Sequence, residues 1–444
     1  SVSHHTKRKT LLVLAVSMVG FYAFFLFYNN FNNSSQEKIA GFNIPFKFIE
    51  YPDNDKIVPY TQFLNETGQD PKEYLLDLFS KYDIVVLCEN LHSEDTQWDF
   101  IFDVVQDRRF IENVGNVFTE YGSVGEQAKV DSFMRKTIDN DTLLAKETAT
   151  LTNFMANNFY LFMQKLYRLN QTLPDSLKIQ EHFSDILNDN YLFDSYYDSL
   201  NKRQQYNPNR PYRDSLMAQI VIDWYHATKK KCLVVTNYRH AFVVNKTAQE
   251  KDKRAYRRYR DNEAQYIYNI FPQNTANVML YGMGVKNVNV SALIQNGKWS
   301  RAFKNNHYLP VGFDFKDSPF GKDCFDRFPS FGRTQPFLYE DIFTGFIFYK
   351  PEQGWTHSTP YYRKYGAEEE YKWAVSNHLI DSVKGKMLIN NYSNQGGLMA
   401  NTERFPLYIN SYHFMDLVIW GIWAVFIAII VLIKSIILFV RRNR

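Results

Sequence analysis

In VVLCENLHSEDTQW (residues 85–98) an apolar run stops at Cys88, Glu89 follows at once, and His92 comes three residues later. Two further stretches end in the same manner. NVFTEYGS carries Glu120, and KCLVVTNYRHAF carries Asn237 and His240, with Arg213 and Asp214 opening the helix-like stretch that precedes the latter. These residue types suit the activation of water. An imidazole titrates near neutrality and can take a proton from water, a carboxylate can orient that imidazole or share its proton, and a guanidinium can hold an anionic group or a developing oxyanion. His92 is then the base, with Glu89 and Glu120 its partners and His240 the acid; Arg213, Asp214 and Asn237 are substrate-binding candidates. The same donors form an acceptable ligand field for a divalent metal, with His92 and His240 as possible ligands. Each residue also has a plain role open to it. Glu89 and His92 can cap a helix beginning near Ser93, Glu120 can be a loop acid, His240 a satisfied histidine, and Arg213 with Asp214 a local ion pair. What favours chemistry is the recurrence of acid or imidazole at three strand ends.

The elements that must position these groups read as an α/β fold. IVVLC is apolar at every position, as in a central strand covered on both faces, and implies a mostly parallel sheet flanked by helices. DPKEYLLDLFS before it has leucines on one helical face, and TQWDFIFDVVQDRRFIENV after it has helical spacing. With the strand at 117–119 this makes a βαβ unit. Residues 126–203 read as a helical insertion, after which the doubly wound pattern returns with a helix from Pro211 and a strand at 232–235. Further strands are expected at 278–284 and 341–350. In such sheets the carboxyl ends of the strands form the ligand crevice. A helix that precedes a strand is expected to start at the opposite end of the sheet, so Arg213 and Asp214 reach the crevice only if the loop before them folds over.

Aromatic residues at 17% and charged residues at 22% of 444 describe a folded chain. A net charge of +4 carries no sign of nucleic-acid binding, and the basic run at 251–260 reads as a solvated helix face. Cys88, Cys232 and Cys324 match neither a disulfide framework nor a zinc spacing. Residues 10–28 are an uncharged apolar run of bilayer-spanning length behind a basic flank, and read as an uncleaved anchor; residues 415–440 read as a second span, with the apolar run at 417–440 followed by Arg441, Arg442 and Arg444. Both flanks are expected in the cytoplasm (residues 1–9 and 441–444). An extended arm at 29–70 and the α/β domain at 71–414 then lie outside it. The expected location is a cell membrane, bacterial inner membrane by preference, with the domain periplasmic. The expected partners are the lipid bilayer and other membrane proteins, not nucleic acid.

ENLHSEDTQWDF, VFTEYG and RDSLMAQIVIDWYHATKKKCLVVTNYRHAFV resemble, in order and spacing over residues 83–244, the "GE.H", "E", "RD..MA" and "HN.H" segments of the erythromycin esterase-like superfamily. The resemblance implies an α/β fold with helical insertions and, in some members, ester hydrolysis by a histidine-activated water. It implies His92 as general base, Glu89 and Glu120 as its partners, and Arg213, Asp214 and His240 as the rest of the pocket. Related families bind haem or are membrane metal-dependent proteases. The chain departs from the pattern at Cys88, at Asn90 with Leu91, and at Thr236, which stands in the place of the first histidine of "HN.H". Three functions are therefore expected in competition: a membrane-anchored hydrolase, a non-catalytic accessory subunit of a membrane complex that keeps the fold, and a haem- or metal-binding protein using His92 and His240. No cofactor is required by the first.

Overall fold

The computed structural model describes residues 51–357, except for 91, 93, 150, 152–156, 186–211, 238–239, 283, 288–289 and 327–336, together with 405–406 and 429. The two runs read as membrane spans, residues 10–28 and 415–440, lie outside the described residues apart from Ile429; among the described residues no helix is long and apolar enough to cross a membrane. The fold below belongs to the unit Tyr51–Ile409.

The arm expected at 29–70 contains a helix, α1 (Val58–Thr67). Pro59 in its first turn is preorganised for helix entry, and Tyr60 and Leu64, four residues apart, bury one stripe. Helix α2 (Pro71–Leu78) starts at Asp70, whose carboxylate caps it by accepting from the backbone N–H groups of Lys72 and Glu73. Its apolar face, with Leu75, Leu76 and Leu78, is buried, and the chain passes into strand β1 (Ile84–Glu89).

All six residues of β1 are buried, as an apolar run with helices on both faces requires. The other strands of the main sheet are β2 (Asn116–Ser123), β3 (Gln180–Asp185), β4 (Cys232–Asn237), β5 (Thr275–Leu280), β6 (Val311–Asp314) and β7 (Gly345–Phe348). They form one seven-stranded sheet in the order β3-β2-β4-β1-β5-β7-β6, parallel throughout except for β6, which runs antiparallel to β7. The expected βαβ unit is present as β1, α3 (Asp95–Val105), α4 (Arg108–Asn113) and β2, with β4 later inserted between its two strands. β1 and β4 are neighbours, yet their two cysteines do not meet: Cys232 pairs with Ile84, and Cys88 with Thr236.

The stretch 126–203 is not wholly helical. After α5 (Gln127–Arg135), α6 (Asp141–Ala149) and α7 (Asn157–Thr172), it supplies β3, an edge strand that pairs in parallel with β2. The outer edge of β3 is blocked by Gln127, whose side chain accepts from Phe183 N (2.8 Å) and donates to Glu181 O (2.8 Å), standing in for a further strand. The basic run at 251–260 covers the end of α9 (Lys246–Lys251) and α10 (Lys253–Tyr259), where Lys251, Lys253, Arg254 and Arg260 are described with side chains that solvent reaches, as a solvated face should be. The segments expected as strands at 278–284 and 341–350 are β5 and β7, the latter preceded by a short helical turn at Tyr339–Ile342.

Candidate functional site

Four strand ends and one helix start meet over the carboxyl edge of the sheet. Glu89, the last residue of β1, has a fully buried side chain. Both of its carboxylate oxygens lie 2.7 Å from the Tyr121 hydroxyl, which donates to them, and Oε1 also contacts Nδ1 of His92. The His92 side chain is 37% exposed, so the histidine is the face of this pair that solvent reaches. Its backbone carbonyl accepts from Asn158 Nδ2 at 2.5 Å, and its ring meets the Tyr121 ring edge-on at 5.4 Å. Neither residue caps the following helix. Glu94 does so, accepting from the backbone N–H groups of Thr96 (2.7 Å) and Gln97 (3.0 Å) and from the Tyr349 hydroxyl (2.7 Å).

Burial pushes the Glu89 carboxyl above its ordinary range, because the charged form loses its water. At His92 burial opposes protonation, but the charge and hydrogen bond of Glu89, with the charge of Glu120, outweigh it and hold the imidazole above its ordinary value.

The second half of the cluster is built on Arg213. Its Nε and Nη2 donate to the two oxygens of Asp185 at 2.9 and 2.7 Å, a bidentate pair; Nη2 also reaches Glu120 Oε2 at 3.2 Å, and Nη1 lies 3.0 Å from His240 Nε2. Asp214 Oδ2 holds His240 Nδ1 at 2.7 Å. A guanidinium only donates, so its contact with Nε2 requires that nitrogen to accept, with the ring proton on Nδ1 facing Asp214. Burial likewise disfavours charge on His240, while Glu120, 3.4 Å from Nε2, and Asp214 pull its pKa above the ordinary value. The ring is balanced between the neutral form that suits Arg213 and the charged form that suits Glu120.

Arg213 and Asp214 arrive here by the direction of their own helix. Helix α8 (Tyr212–Thr228) crosses back antiparallel to the strands before β4 begins, so its first turn lies at their carboxyl ends; the expectation that it starts at the far end is corrected by this crossover geometry. Asn237, at the end of β4, gives its backbone N–H to Glu120 Oε1 (2.5 Å) and its side-chain amide to Asn90 O (2.8 Å), which sets it in the wall of the cluster. All seven residues singled out in the sequence thus gather in two hydrogen-bonded halves, which meet where Glu89, His92 and Glu120 bring ligand atoms within 4.8 Å of one another.

Four more members carried little sequence signal: Tyr121, Asn158, Asp185 and Glu263. The last is the first residue of helix α11 (Glu263–Ile270), and its backbone N–H donates to Asp214 Oδ2 at 3.1 Å. Its carboxyl is fully buried beside the buried Thr236 hydroxyl, with no donor among the described residues at full hydrogen-bonding geometry to either oxygen. Burial drives the Glu263 carboxyl up to about 8, against the pull of His240.

A cation would be held differently from the expectation. Glu89, His92 and Glu120 offer ligand atoms that all lie within 4.8 Å of one another; His240 is outside this group. Its nitrogens face Asp214 on one side and Arg213 with Glu120 on the other. Glu89 and Glu120 already accept from Tyr121, Asn237 and Arg213, but a carboxylate has about four lone-pair positions, so the set fits a hard or borderline divalent ion.

No family model matches the sequence, and no curated protein matches it. Among solved structures the chain is similar to a Bacillus cereus protein (TM-score 0.45, 11% identity, 67% of this chain and 97% of that one). It is similar to a mutant of the erythromycin esterase EreC in its open conformation (TM-score 0.39, 10% identity, 66% and 95%) and to the haem-binding ChaN of Campylobacter jejuni (TM-score 0.26, 13% identity, 47% and 85%).

Proposed function

We propose that this domain is a hydrolase of esters or related acyl bonds, in which His92 activates water. The observation that carries the reading is the clamped imidazole: Nδ1 of His92 against a buried Glu89 that Tyr121 fixes through both oxygens, with the histidine the exposed member. With its proton on Nδ1 toward Glu89, the ring takes the proton of an attacking water at Nε2. The water oxygen bonds to the acyl carbon, the tetrahedral intermediate expels the alcohol oxygen, and the proton on Nε2 passes to that leaving group. Glu89 supports the imidazolium that exists between these steps. Arg213, held by Asp185 and Glu120, supplies positive potential beside the same spot.

The purified full-length chain, offered a panel of aryl esters, lactones and peptides, should hydrolyse an ester or lactone, and His92→Ala should lower kcat by roughly 10²–10⁴-fold. The base works only when deprotonated, so kcat/KM should rise with pH through a midpoint above the ordinary 6.5. A rate that His92→Ala leaves unchanged removes the assignment. Absence of turnover across the panel would favour the non-catalytic accessory subunit.

A second reading is favoured by the close approach of Glu89, His92 and Glu120: these three hold a divalent ion. Such an ion would lower the pKa of a bound water and so generate the nucleophile at neutral pH. Isothermal titration of chelator-treated protein with Zn²⁺ or Mn²⁺ should then show one site, lost in Glu120→Gln. Titrations that are flat for the wild type would exclude it.

We also propose that the domain lies outside the cytoplasm, tethered by residues 10–28 and 415–440. Cys324 is exposed whereas Cys88 and Cys232 are buried, which gives the chain a single natural reporter among its three thiols. A membrane-impermeant maleimide should label intact spheroplasts expressing the protein but not its Cys324→Ser variant. Labelling only after lysis would place the domain inside.

A further inference from the structure

Between Glu89 and His92 stands Asn90, a buried residue tied in three directions. Its backbone N–H donates to Gln97 Oε1 at 2.8 Å, its side-chain Nδ2 donates to Tyr281 O at 2.5 Å, and its carbonyl accepts from Asn237 Nδ2 at 2.8 Å. Tyr281 directly follows β5 and Asn237 ends β4, and these are the two strands that flank β1 in the sheet. One residue therefore joins the carboxyl ends of three adjacent strands. The Tyr281 end is itself fixed, since that buried tyrosine donates to Glu352 Oε2 (2.9 Å) and meets Ser300 Oγ (2.6 Å) on helix α12 (Lys298–Asn305). Space for the arrangement comes from Gly282: a Cβ there would fall 1.8 Å from Asn90 Oδ1 and 2.2 Å from its Cγ.

We infer that Asn90, seated against Gly282, is the positioning residue of the Glu89–His92 pair. The inference deepens the hydrolase reading and rests on it for its catalytic consequence. Glu89 ends its strand and His92 lies in the turn beyond, so the approach of carboxylate to imidazole depends on what holds the residue between them. The role needs an amide. Aspartate at 90 would set a buried carboxylate against the Tyr281 carbonyl, and alanine would release β5 from the turn. Positioning errors of about 1 Å can cost on the order of 10²-fold in rate.

Proton NMR of the full-length chain tests this without a substrate. The Nδ1–H proton of His92, shared with Glu89, should give a low-field resonance, identified by its loss in His92→Gln. In Asn90→Ala and in Gly282→Ala that resonance should shift upfield or vanish, and kcat on the best ester should fall roughly 10-fold or more with KM within about twofold. Asn90→Asp should be no better than Asn90→Ala. If either variant fails to fold, Asn237→Ala, which removes only the bond to the Asn90 carbonyl among these three, is read in the same way. A resonance and a kcat that stay in place in the folded variants overturn the inference. A wild type that shows the resonance and its loss in the variants, yet hydrolyses nothing, overturns the hydrolase reading and leaves the positioning role standing.

Discussion

Replacement of Arg213 by methionine is expected to destabilise the protein by about 3–5 kcal/mol, the cost of breaking a buried ion pair from one side. Methionine keeps much of the stem's length and apolar packing, so the loss falls mainly on charge. Asp185 is fully buried and would lose a bidentate partner, Glu120 would lose the donor at 3.2 Å, and His240 Nε2 would lose the donor at 3.0 Å. Burial works against charge on Arg213 itself, but the carboxylates of Asp185, Glu120 and Asp214 more than compensate and hold the guanidinium firmly protonated. The thermal midpoint at pH 7 should drop by roughly 10 °C. Arg213→Lys should recover only part of this, because an ammonium cannot serve both oxygens of Asp185 in the bidentate manner. Adding Asp185→Asn to Arg213→Met should also restore stability, since it removes one of the charges left behind. A midpoint within about 2 °C of wild type for Arg213→Met would mean that the cluster is not held by this guanidinium.

The dependence of so much on Arg213 bears on which parts of the molecule could be read in advance. The central strand was legible because IVVLC is apolar at every position, and a run of that kind has few alternatives once acid and turn residues bound it. Strand β3 was not. QEHFSD has one large apolar residue, Phe183, and its buried polar side chains turn to tertiary partners: one oxygen of Glu181 accepts from the Thr119 hydroxyl at 2.6 Å, and Asp185 pairs with Arg213. Period-two alternation cannot reveal a strand whose covered faces are polar, and Asp185 went unread with it. The capping alternative fails for another reason. Glu89, His92 and Glu94 lie within six residues of one another, and the cap falls to Glu94 because it stands directly before the helix that starts at Asp95. Tyr121 adjoins Glu120 in a strand, where neighbours normally point to opposite faces; the two serve different halves of one cluster where the pairing of β2 with β3 loses its regular register between Thr119 and Ser123. The candidate residues could be named from type and strand end, while those that hold them depended on a crossover and a local irregularity.

Glu263→Gln is expected to make the protein more stable than wild type above pH 8 and no more stable near pH 5. In the folded chain burial raises this carboxyl from the ordinary 4.5 to about 8; His240 and the neighbouring Thr236 hydroxyl pull it down, while Glu120 and Asp214 push it further up. Among the described residues no donor stands at full hydrogen-bonding geometry to either oxygen, so little favours the charged form. The unfolded chain releases the proton from about pH 4.5, whereas the folded chain keeps it until about pH 8. Between those values the folded state binds more protons, so stability falls as pH rises. The contribution is fully present below the unfolded pKa and is lost once pH has passed the folded one. At about 1.4 kcal/mol for each pH unit between the two values, the effect amounts to several kcal/mol at most. Glutamine occupies nearly the same volume without the ionisation, so its curve of thermal midpoint against pH should be flatter than that of the wild type from pH 5 to 9. His240, whose own pKa is raised by Glu120 and Asp214 against its burial, contributes a slope of the same sign, and this slope survives in the variant. Parallel curves for the two proteins would show that Glu263 is not protonated in the folded state. The polar cluster would then hold one more buried negative charge beside His240 than the neutral tautomer facing Arg213 allows.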